Sequence, residues 1–322
     1  MKLVVALGGN ALAPGGSASL DEQRAAIGRA AREIAALANE HSVVVTHGNG
    51  PQIGWLANLA RGAGERVALD VLGAESEGML GYWLEQELRN ALPGRDVAAL
   101  LTQVEVDARD PAFATPTKPI GPVLPAEEAE RQRTLGLVCA PVRGGFRRVV
   151  ASPAPLRILE LRSIELLGRL GVVVICGGGG GIPVVRDALG RHHGIEAVID
   201  KDRSAELLAS SLAADGLLLL TDVPAVFADW PARERPLRRE SAATLAGREF
   251  EPGSMGPKIE AACRFVRVRG RRAWIGALAD ACAIVRGEAG TEIVGDAGPA
   301  DAFLHDLARE QIAEAARTRV WA

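Results

Sequence analysis

The sequence has 322 residues, of which 48% are hydrophobic and only 4% aromatic, with a formal net charge of −3 and a pI of about 6.0. This length allows a large hydrophobic core, in one large α/β domain or two smaller ones. A nucleic-acid-binding protein needs a basic stripe and often aromatic stacking platforms, so we expect no nucleic-acid partner.

The four cysteines are far apart and form no CxxC motif. The chain begins with a strand-like run instead of a targeting segment, and no apolar run reaches the roughly 18 residues of a membrane helix. We therefore expect a cytoplasmic protein with buried free thiols and no membrane partner.

Short apolar runs alternate with helical patterns along the chain. The first helix follows the strand "KLVVAL", and Ser19 and Glu22 have the spacing of its capping box. A long helical pattern covers about Leu69–Leu92. The other predicted strands are "SVVVTH", "VAALLTQVEV", "VVVICGG", "GLLLLTDV", "AWIGAL" and "TEIV", and the other predicted helices are "LRILELRSIELLGRLG", "RSAELLASSLAA" and "PKIEAACRFVRV". Wholly apolar strands in this alternation predict a parallel sheet covered by helices on both faces.

Two segments depart from this alternation. Residues 106–151 are rich in Pro, Gly and Arg and contain no long helical pattern, which indicates a small protruding lid subdomain. Residues 301–322 have the pattern of one amphipathic helix that packs on the body of the protein or on a partner.

Glycine clusters follow three of the predicted strands. In an open parallel sheet, ligands bind at the carboxyl ends of the strands, where glycine lets backbone N–H groups approach an anion. Three such turns on one sheet edge predict a ligand with several negative groups. The clusters are Gly8-Gly9-Asn10, Gly48-Asn49-Gly50 and Gly177–Gly181.

Several familiar motifs do not fit. The run "GNGPQIG" resembles a dinucleotide fingerprint, but its spacing is GxGxxxG instead of GxGxxG. The sequence contains no GxxxxGK[ST], GxSxG or HExxH motif, and none of its five histidines has an obvious nucleophile or metal partner.

Lysine is rare in this chain, with only four among 37 basic residues. Lys118, Lys201 and Lys258 lie in segments rich in Gly, Pro or Asp, outside helix interiors. Lysine is needed where a compact ammonium must contact a single oxygen, as in phosphoryl transfer. We therefore interpret Lys201 as a phosphate ligand and Asp202 as the group that positions the lysines, the alternative being a surface lysine in a local ion pair.

In the sequences and the order of its motifs, the chain resembles the amino acid kinase family. Within that family it resembles the enzymes that transfer phosphate between carbamoyl phosphate and ADP. The resemblance covers about residues 3–294. The matching motifs are "ALGGNAL", "THGNGPQIG", "GYWLEQEL", "PTKPIGP", "RRVVASP", "GGGGGIPVV", "GIEAVIDKD", "LLLTDVPAVF", "PGSMGPKIEAACRFV" and "GTEIV".

The resemblance implies a three-layer αβα sandwich around a mainly parallel open sheet, as one domain over residues 1–300. Its substrate lobe would cover about residues 1–195 and its nucleotide lobe about 196–300, with 106–151 as the lid. It also implies a homodimer, ATP or ADP with carbamate or carbamoyl phosphate as substrates, and Mg²⁺ that arrives with the nucleotide instead of in a protein metal site.

The resemblance also assigns site residues. The implied catalytic residues are Lys118, Lys201, Asp202 and Lys258. The implied substrate-binding residues are Gly8, Gly9, Asn10, Gly48, Asn49, Gly50, Gly178 and Gly179. The implied nucleotide-binding residues are Lys201, Asp222, Ser254, Met255 and Lys258.

The chain departs from the family pattern at Glu75 and Glu77, where related chains tend to be neutral. Helix geometry puts the two side chains on different faces, so at most one points inward. An inward carboxylate near the Gly48 turn would repel an anionic substrate. Two other hypotheses therefore stay open: an enzyme of the same fold with a different small carboxylate or phosphate acceptor, and a non-catalytic nucleotide sensor. A nicotinamide-dependent dehydrogenase is more remote.

Overall fold

The computed structural model describes residues 1–12, 19–142, 144–229, 232–251 and 254–296, so the helix predicted for 301–322 lies outside the described residues. The helices are α1 Gly9–Leu12, α2 Leu20–Glu40, α3 Gly50–Gly62, α4 Leu69–Ala91, α5 Ala126–Thr134, α6 Leu161–Arg169, α7 Lys201–Ser211, α8 Ala242–Ala246, α9 Met255–Arg269 and α10 Ala281–Val285. The strands are β1 Lys2–Leu7, β2 Ser42–His47, β3 Val97–Ala99, β4 Gln103–Val106, β5 Lys118–Leu124, β6 Cys139–Val142, β7 Gly145–Val150, β8 Pro155–Ile158, β9 Val173–Ile175, β10 Ile182–Arg186, β11 His192–Gly194, β12 Gly216–Thr221, β13 Arg239–Ser241, β14 Arg272–Ala277 and β15 Thr291–Val294.

The buried strand β1 divides the core between two faces. Leu3 and Val5 belong to one hydrophobic cluster, which includes the apolar sides of α2, α4 and α10. Val4 and Ala6 belong to the opposite cluster, which includes α6, α7, α8 and α9. Successive strand side chains point to opposite faces of a sheet, so an all-apolar strand must be covered on both. The predicted three-layer αβα architecture is confirmed.

The main sheet has eight strands in the order β13-β15-β14-β12-β1-β2-β9-β3. Every neighbouring pair is parallel except β14 and β15, which are antiparallel. The strand β1 lies between β2 and β12, so the chain winds outward from β1 in both directions. Such a reversal of strand order opens a crevice at the carboxyl ends of the strands, where ligands bind in open α/β sheets.

Two smaller sheets accompany the main one. One has the order β11-β10-β4-β8, and the other, which we call the small sheet, has the antiparallel order β5-β7-β6 over residues 118–150. Ile120 and Val150 of the small sheet share a buried cluster with Ile53 of α3. This contact holds the small sheet beside the carboxyl ends of β1 and β2.

Two predicted elements were wrong in detail. The run "VAALLTQVEV" forms not one strand but two, β3 and β4, which belong to different sheets. The first part of the helix predicted in "LRILELRSIELLGRLG" is strand β8, and the helix α6 begins only at Leu161. Ile158 pairs with Val104 on β4 in this strand, so tertiary pairing overrides the local helical pattern. The helix α3 was not predicted from the sequence.

The helix α3 and the strand β5 meet at two glycines. A Cβ atom on Gly54 would lie 1.9 Å from the Cα of Gly121, and Gly121 itself has a φ of +70°. No side chain fits between the two backbones, so both positions require glycine. The close approach fixes the small sheet to the beginning of α3.

We predict that Gly54→Ala lowers the free energy of unfolding by about 1–3 kcal/mol, because α3 and β5 must separate to admit the methyl group. The matched control is Gly62→Ala at the other end of α3, where a Cβ would meet nothing within 4 Å. That change should leave the free energy of unfolding equal or raise it by about 0.4–1 kcal/mol. Urea denaturation measures both, and equal values for the two variants would contradict the packing argument.

Candidate active site

A cavity of about 770 Å³ opens at the carboxyl ends of β1, β2 and β12, with the small sheet on one side and the start of α9 on the other. Twelve of the residues predicted from the sequence line it. They are Gly8, Gly9, Gly48, Asn49, Gly50, Lys118, Gly179, Lys201, Asp202, Asp222, Ser254 and Lys258. The structure therefore brings the rare lysines and the glycine turns into one site.

Two predicted residues, Gly178 and Met255, are placed differently. Gly178 is buried behind the cavity, where its N–H group donates to a carboxylate. Met255 packs against the hydrophobic cluster under α7 and α9. Asn10 belongs to α1, but its side chain lies outside the described residues.

The glycine turns form one continuous surface. A Cβ on Gly48 would lie 2.9 Å from the backbone N of Gly9, and a Cβ on Gly179 would overlap the amide of Asn49 at 2.0 Å. Gly179 also has a φ of +70°. Only glycine fits at these two contacts, which keep the turns together around the start of α3, where an anion can bind.

A buried ionic cluster joins three elements at the start of α7. The ammonium of Lys201 lies 2.5 Å and that of Lys258 3.2 Å from the carboxylate of Asp202. Lys118 of the small sheet forms an ion pair with Asp200. Asp200 is also the N-cap of α7, since its carboxylate accepts from the backbone N of Asp202 at 2.9 Å and of Arg203 at 3.3 Å.

The cluster is electrostatically coupled. Burial alone would raise the pKa of Asp202, but Lys201 and Lys258 outweigh it and hold that pKa well below its usual range. Burial lowers the pKa of Lys201, although Asp202 counteracts part of this effect. Asp202 is only 4% exposed, so its ionised carboxylate requires both ammonium groups.

Two charged residues of the site, Asp200 and Arg147, were not predicted from the sequence. Asp200 was visible beside Lys201, and its place just before a helix could have identified it as an N-cap. Arg147 on β7 also lines the cavity. The motif "RRVVASP" contains it, but arginine is so common in this chain that nothing in the sequence distinguishes Arg147 from the others.

The two additional glutamates do not face the cavity. Glu75 is exposed, whereas Glu77 is 3% exposed and lies behind the third glycine turn. Its Oε1 accepts from the backbone N of Gly178 at 2.8 Å and its Oε2 from that of Thr102 at 3.2 Å. The expectation that at most one of them points inward is confirmed. Glu77 supports the loop, so it gives no reason to expect a different phosphate acceptor.

The described residues contain no group of three or more His, Cys, Asp or Glu side chains that could bind a metal ion. Among the helices that the structure describes, none is long and apolar enough to span a membrane.

A family model described as the amino acid kinase family matches residues 1–277. The chain belongs to the amino acid kinase family. Carbamate kinase of Rhizobium meliloti (strain 1021) is 52% identical over 302 residues, covering 91% of this chain and 93% of that protein. Carbamate kinase of Escherichia coli (strain K12) is 47% identical over 294 residues, covering 90% and 98%.

Solved structures of the family agree with this assignment. Carbamate kinase from Giardia lamblia bound to AMP-PNP has a TM-score of 0.82 and 36% identity, covering 92% of this chain and 98% of that chain. The family, the fold and the kinase type of enzyme that the sequence motifs predicted are confirmed.

The buried carboxyl group of Glu77 leads to a prediction about pH. Burial raises its pKa from 4.5 to about 8, although its hydrogen bonds to Thr102 and Gly178 oppose this. Between pH 4.5 and about pH 8, the folded chain keeps a proton on Glu77 that the unfolded chain has lost. The free energy of unfolding therefore falls as pH rises through this range, by about 1.4 kcal/mol for each pH unit. Glutamine does not titrate. The stability of Glu77→Gln relative to the parent should therefore increase from about pH 5 to about pH 8.

Urea denaturation at several pH values measures this difference. Glu75→Gln is the matched control, because Glu75 is on the same helix but exposed. A difference between Glu77→Gln and the parent that stays constant with pH would show that Glu77 is ionised throughout.

Proposed function

We propose that the protein is a carbamate kinase, which catalyses the reversible reaction of carbamoyl phosphate and ADP to give carbamate and ATP. The main observation is the cluster of Lys118, Lys201 and Lys258, which joins the glycine turns to the start of α9 within one cavity. Full-length similarity to several carbamate kinases supports the same assignment.

The small substrate occupies the side of the cavity formed by the glycine turns. The backbone N–H group of Gly9 and the start of α3 suit a phosphoryl or carboxylate group. The nucleotide occupies the opposite side, beside Asp222, Ser254 and the start of α9. The transferred phosphoryl group then lies between the two, next to the lysines.

The protein contributes position and charge to this reaction. In phosphoryl transfer, negative charge spreads over the transferred group and the leaving oxygen, so fixed cations stabilise the transition state. Lys201 and Lys258 supply them, and Asp202 keeps both in place. Lys118 approaches from the small sheet, which acts as the lid. No general base is needed, because the attacking oxygen of carbamate or of ADP is already anionic.

The proposal extends to Mg²⁺, assembly and location. Mg²⁺ arrives with the nucleotide and retains several of its waters, since it is bound mainly by phosphates. We assign a homodimer that forms at the edge strand β3, beside which Tyr82 of α4 and Leu101 are 57% and 54% exposed. The four free cysteines fit a reducing compartment, so we place the enzyme in the cytoplasm.

The decisive experiment is a coupled assay for ATP formed from MgADP with carbamoyl phosphate, acetyl phosphate or another acyl phosphate. We expect the highest kcat/KM with carbamoyl phosphate. If only another acyl phosphate gave ATP, the phosphate acceptor of this enzyme would not be carbamate. Tight ADP binding without any ATP formation would instead favour a nucleotide sensor.

Lys201→Arg tests the phosphate-ligand role. Lys201 is 8% exposed, and its Cδ lies 3.6 Å from where a Cβ of Gly48 would be, so a wider guanidinium has little room. Arginine keeps the charge but replaces a point ammonium with a planar fork. A displacement of about 1 Å can lower the rate roughly 10²-fold, and we expect a loss in kcat of that order.

The matched control for this variant is Lys2→Arg, which changes a lysine at the far end of β1 that donates to Leu212 O. Circular dichroism should show both variants folded. Parent-like turnover in Lys201→Arg would remove Lys201 from contact with the phosphoryl group.

A further inference from the structure

Arg147 differs from the other cations of the cavity. Each of the three lysines contacts a carboxylate of Asp200 or Asp202. The Nε atom of Arg147 is buried without a hydrogen-bond partner, and no acidic side chain pairs with its guanidinium in the part of the chain that the structure describes. Asp200 and Asp202 are therefore committed to the lysines and do not neutralise the charge of Arg147.

This arrangement is costly for the protein alone. Burial lowers the pKa of the Arg147 guanidinium, and no neighbouring acid among the described residues counteracts the effect. Arginine nevertheless stays protonated in proteins, so the charge persists. A partly buried, unpaired cation is rare unless it has a ligand, and in a cavity that ligand is an anion.

The position of Arg147 identifies the anion. Arg147 lies on β7, next to β5 with Lys118, and the small sheet packs on α3, which begins at the Gly48-Asn49-Gly50 turn. The nucleotide side, with Asp222 and Ser254, belongs to β12 and α9 instead. Arg147 thus extends into the cavity from the element that is attached to the substrate side.

The neighbouring residue shows that this orientation is specific. Arg148 follows on the same strand, and its side chain lies on the other side of the sheet, near Gly54 and Asn58 of α3. Successive side chains alternate along a strand, and of the two arginines Arg147 lines the cavity whereas Arg148 does not. The pair provides a natural comparison between a cavity arginine and a packing arginine.

We propose that Arg147 binds the phosphoryl group of carbamoyl phosphate and so determines the affinity for the small substrate. This inference rests on the proposed function. The planar guanidinium donates two parallel N–H bonds to two oxygens of one phosphate, a geometry that the three lysines do not offer. The lysines stabilise charge during transfer, and Arg147 captures and orients the substrate before transfer.

The experiment compares Arg147→Gln, Arg147→Lys and the control Arg148→Gln by steady-state kinetics of ATP formation. Loss of a charged hydrogen bond of this type weakens binding roughly 10–100-fold. We expect Arg147→Gln to raise the KM for carbamoyl phosphate by that factor, with the KM for MgADP nearly unchanged. Arg147→Lys should recover part of the loss, since it restores the charge without the fork. Arg148→Gln should resemble the parent.

An unchanged KM for carbamoyl phosphate in Arg147→Gln, or a rise in the KM for MgADP alone, overturns the assignment. A parent that forms no ATP contradicts the proposed function instead. In that case, tryptophan fluorescence titrations with carbamoyl phosphate decide the role of Arg147. Weaker binding by Arg147→Gln than by the parent and Arg148→Gln supports it, and equal binding, or no binding by the parent, rejects it. Circular dichroism melting of each variant excludes unfolding as the cause.

Discussion

Two carboxylates and three ammonium groups meet at the start of α7, and the geometry of the site depends on their mutual neutralisation. Isolated buried charges cost several kcal/mol, and like charges this close repel one another. Asp202 offsets both effects for Lys201 and Lys258 at once. Asp200 caps α7 through its backbone contacts and also binds Lys118 from the small sheet. The cluster therefore connects the small sheet, α7 and α9, which are otherwise separate parts of the fold.

The backbone, like the ionic cluster, fixes the geometry of the site. The turns at Gly48 and Gly179 contact neighbouring turns so closely that a single Cβ would separate them. The third turn is held from behind by Glu77, whose carboxyl oxygens accept from Gly178 and Thr102. Fixed N–H groups on one side and fixed ammonium groups on the other need little rearrangement as charge develops, which is the condition for electrostatic catalysis.

Sequence patterns predicted those parts of the fold and site that depend on local chemistry. Apolar strands, glycine turns and the unusual lysines are all short-range signals, and the structure brings the lysines and the glycine turns to one cavity. Long-range partners could not be predicted in this way. Lys118 and Asp200 are 82 positions apart, and Glu77 and Gly178 are 101 apart. The strand β8 was wrongly predicted as helix for the same reason, since its pairing with β4 depends on residues about 50 positions away.

The contrast between lysine and arginine follows from how each cation is neutralised. A compact ammonium can share one carboxylate with another ammonium, as Lys201 and Lys258 share Asp202, so the charges are positioned before any ligand binds. A guanidinium is suited to a planar partner with two oxygens, and the protein provides none for Arg147 among its described residues. If all cations were paired internally, the substrate would have to displace a carboxylate in order to bind. If none were paired, their repulsion would destabilise the fold. One unpaired arginine beside three paired lysines satisfies both requirements.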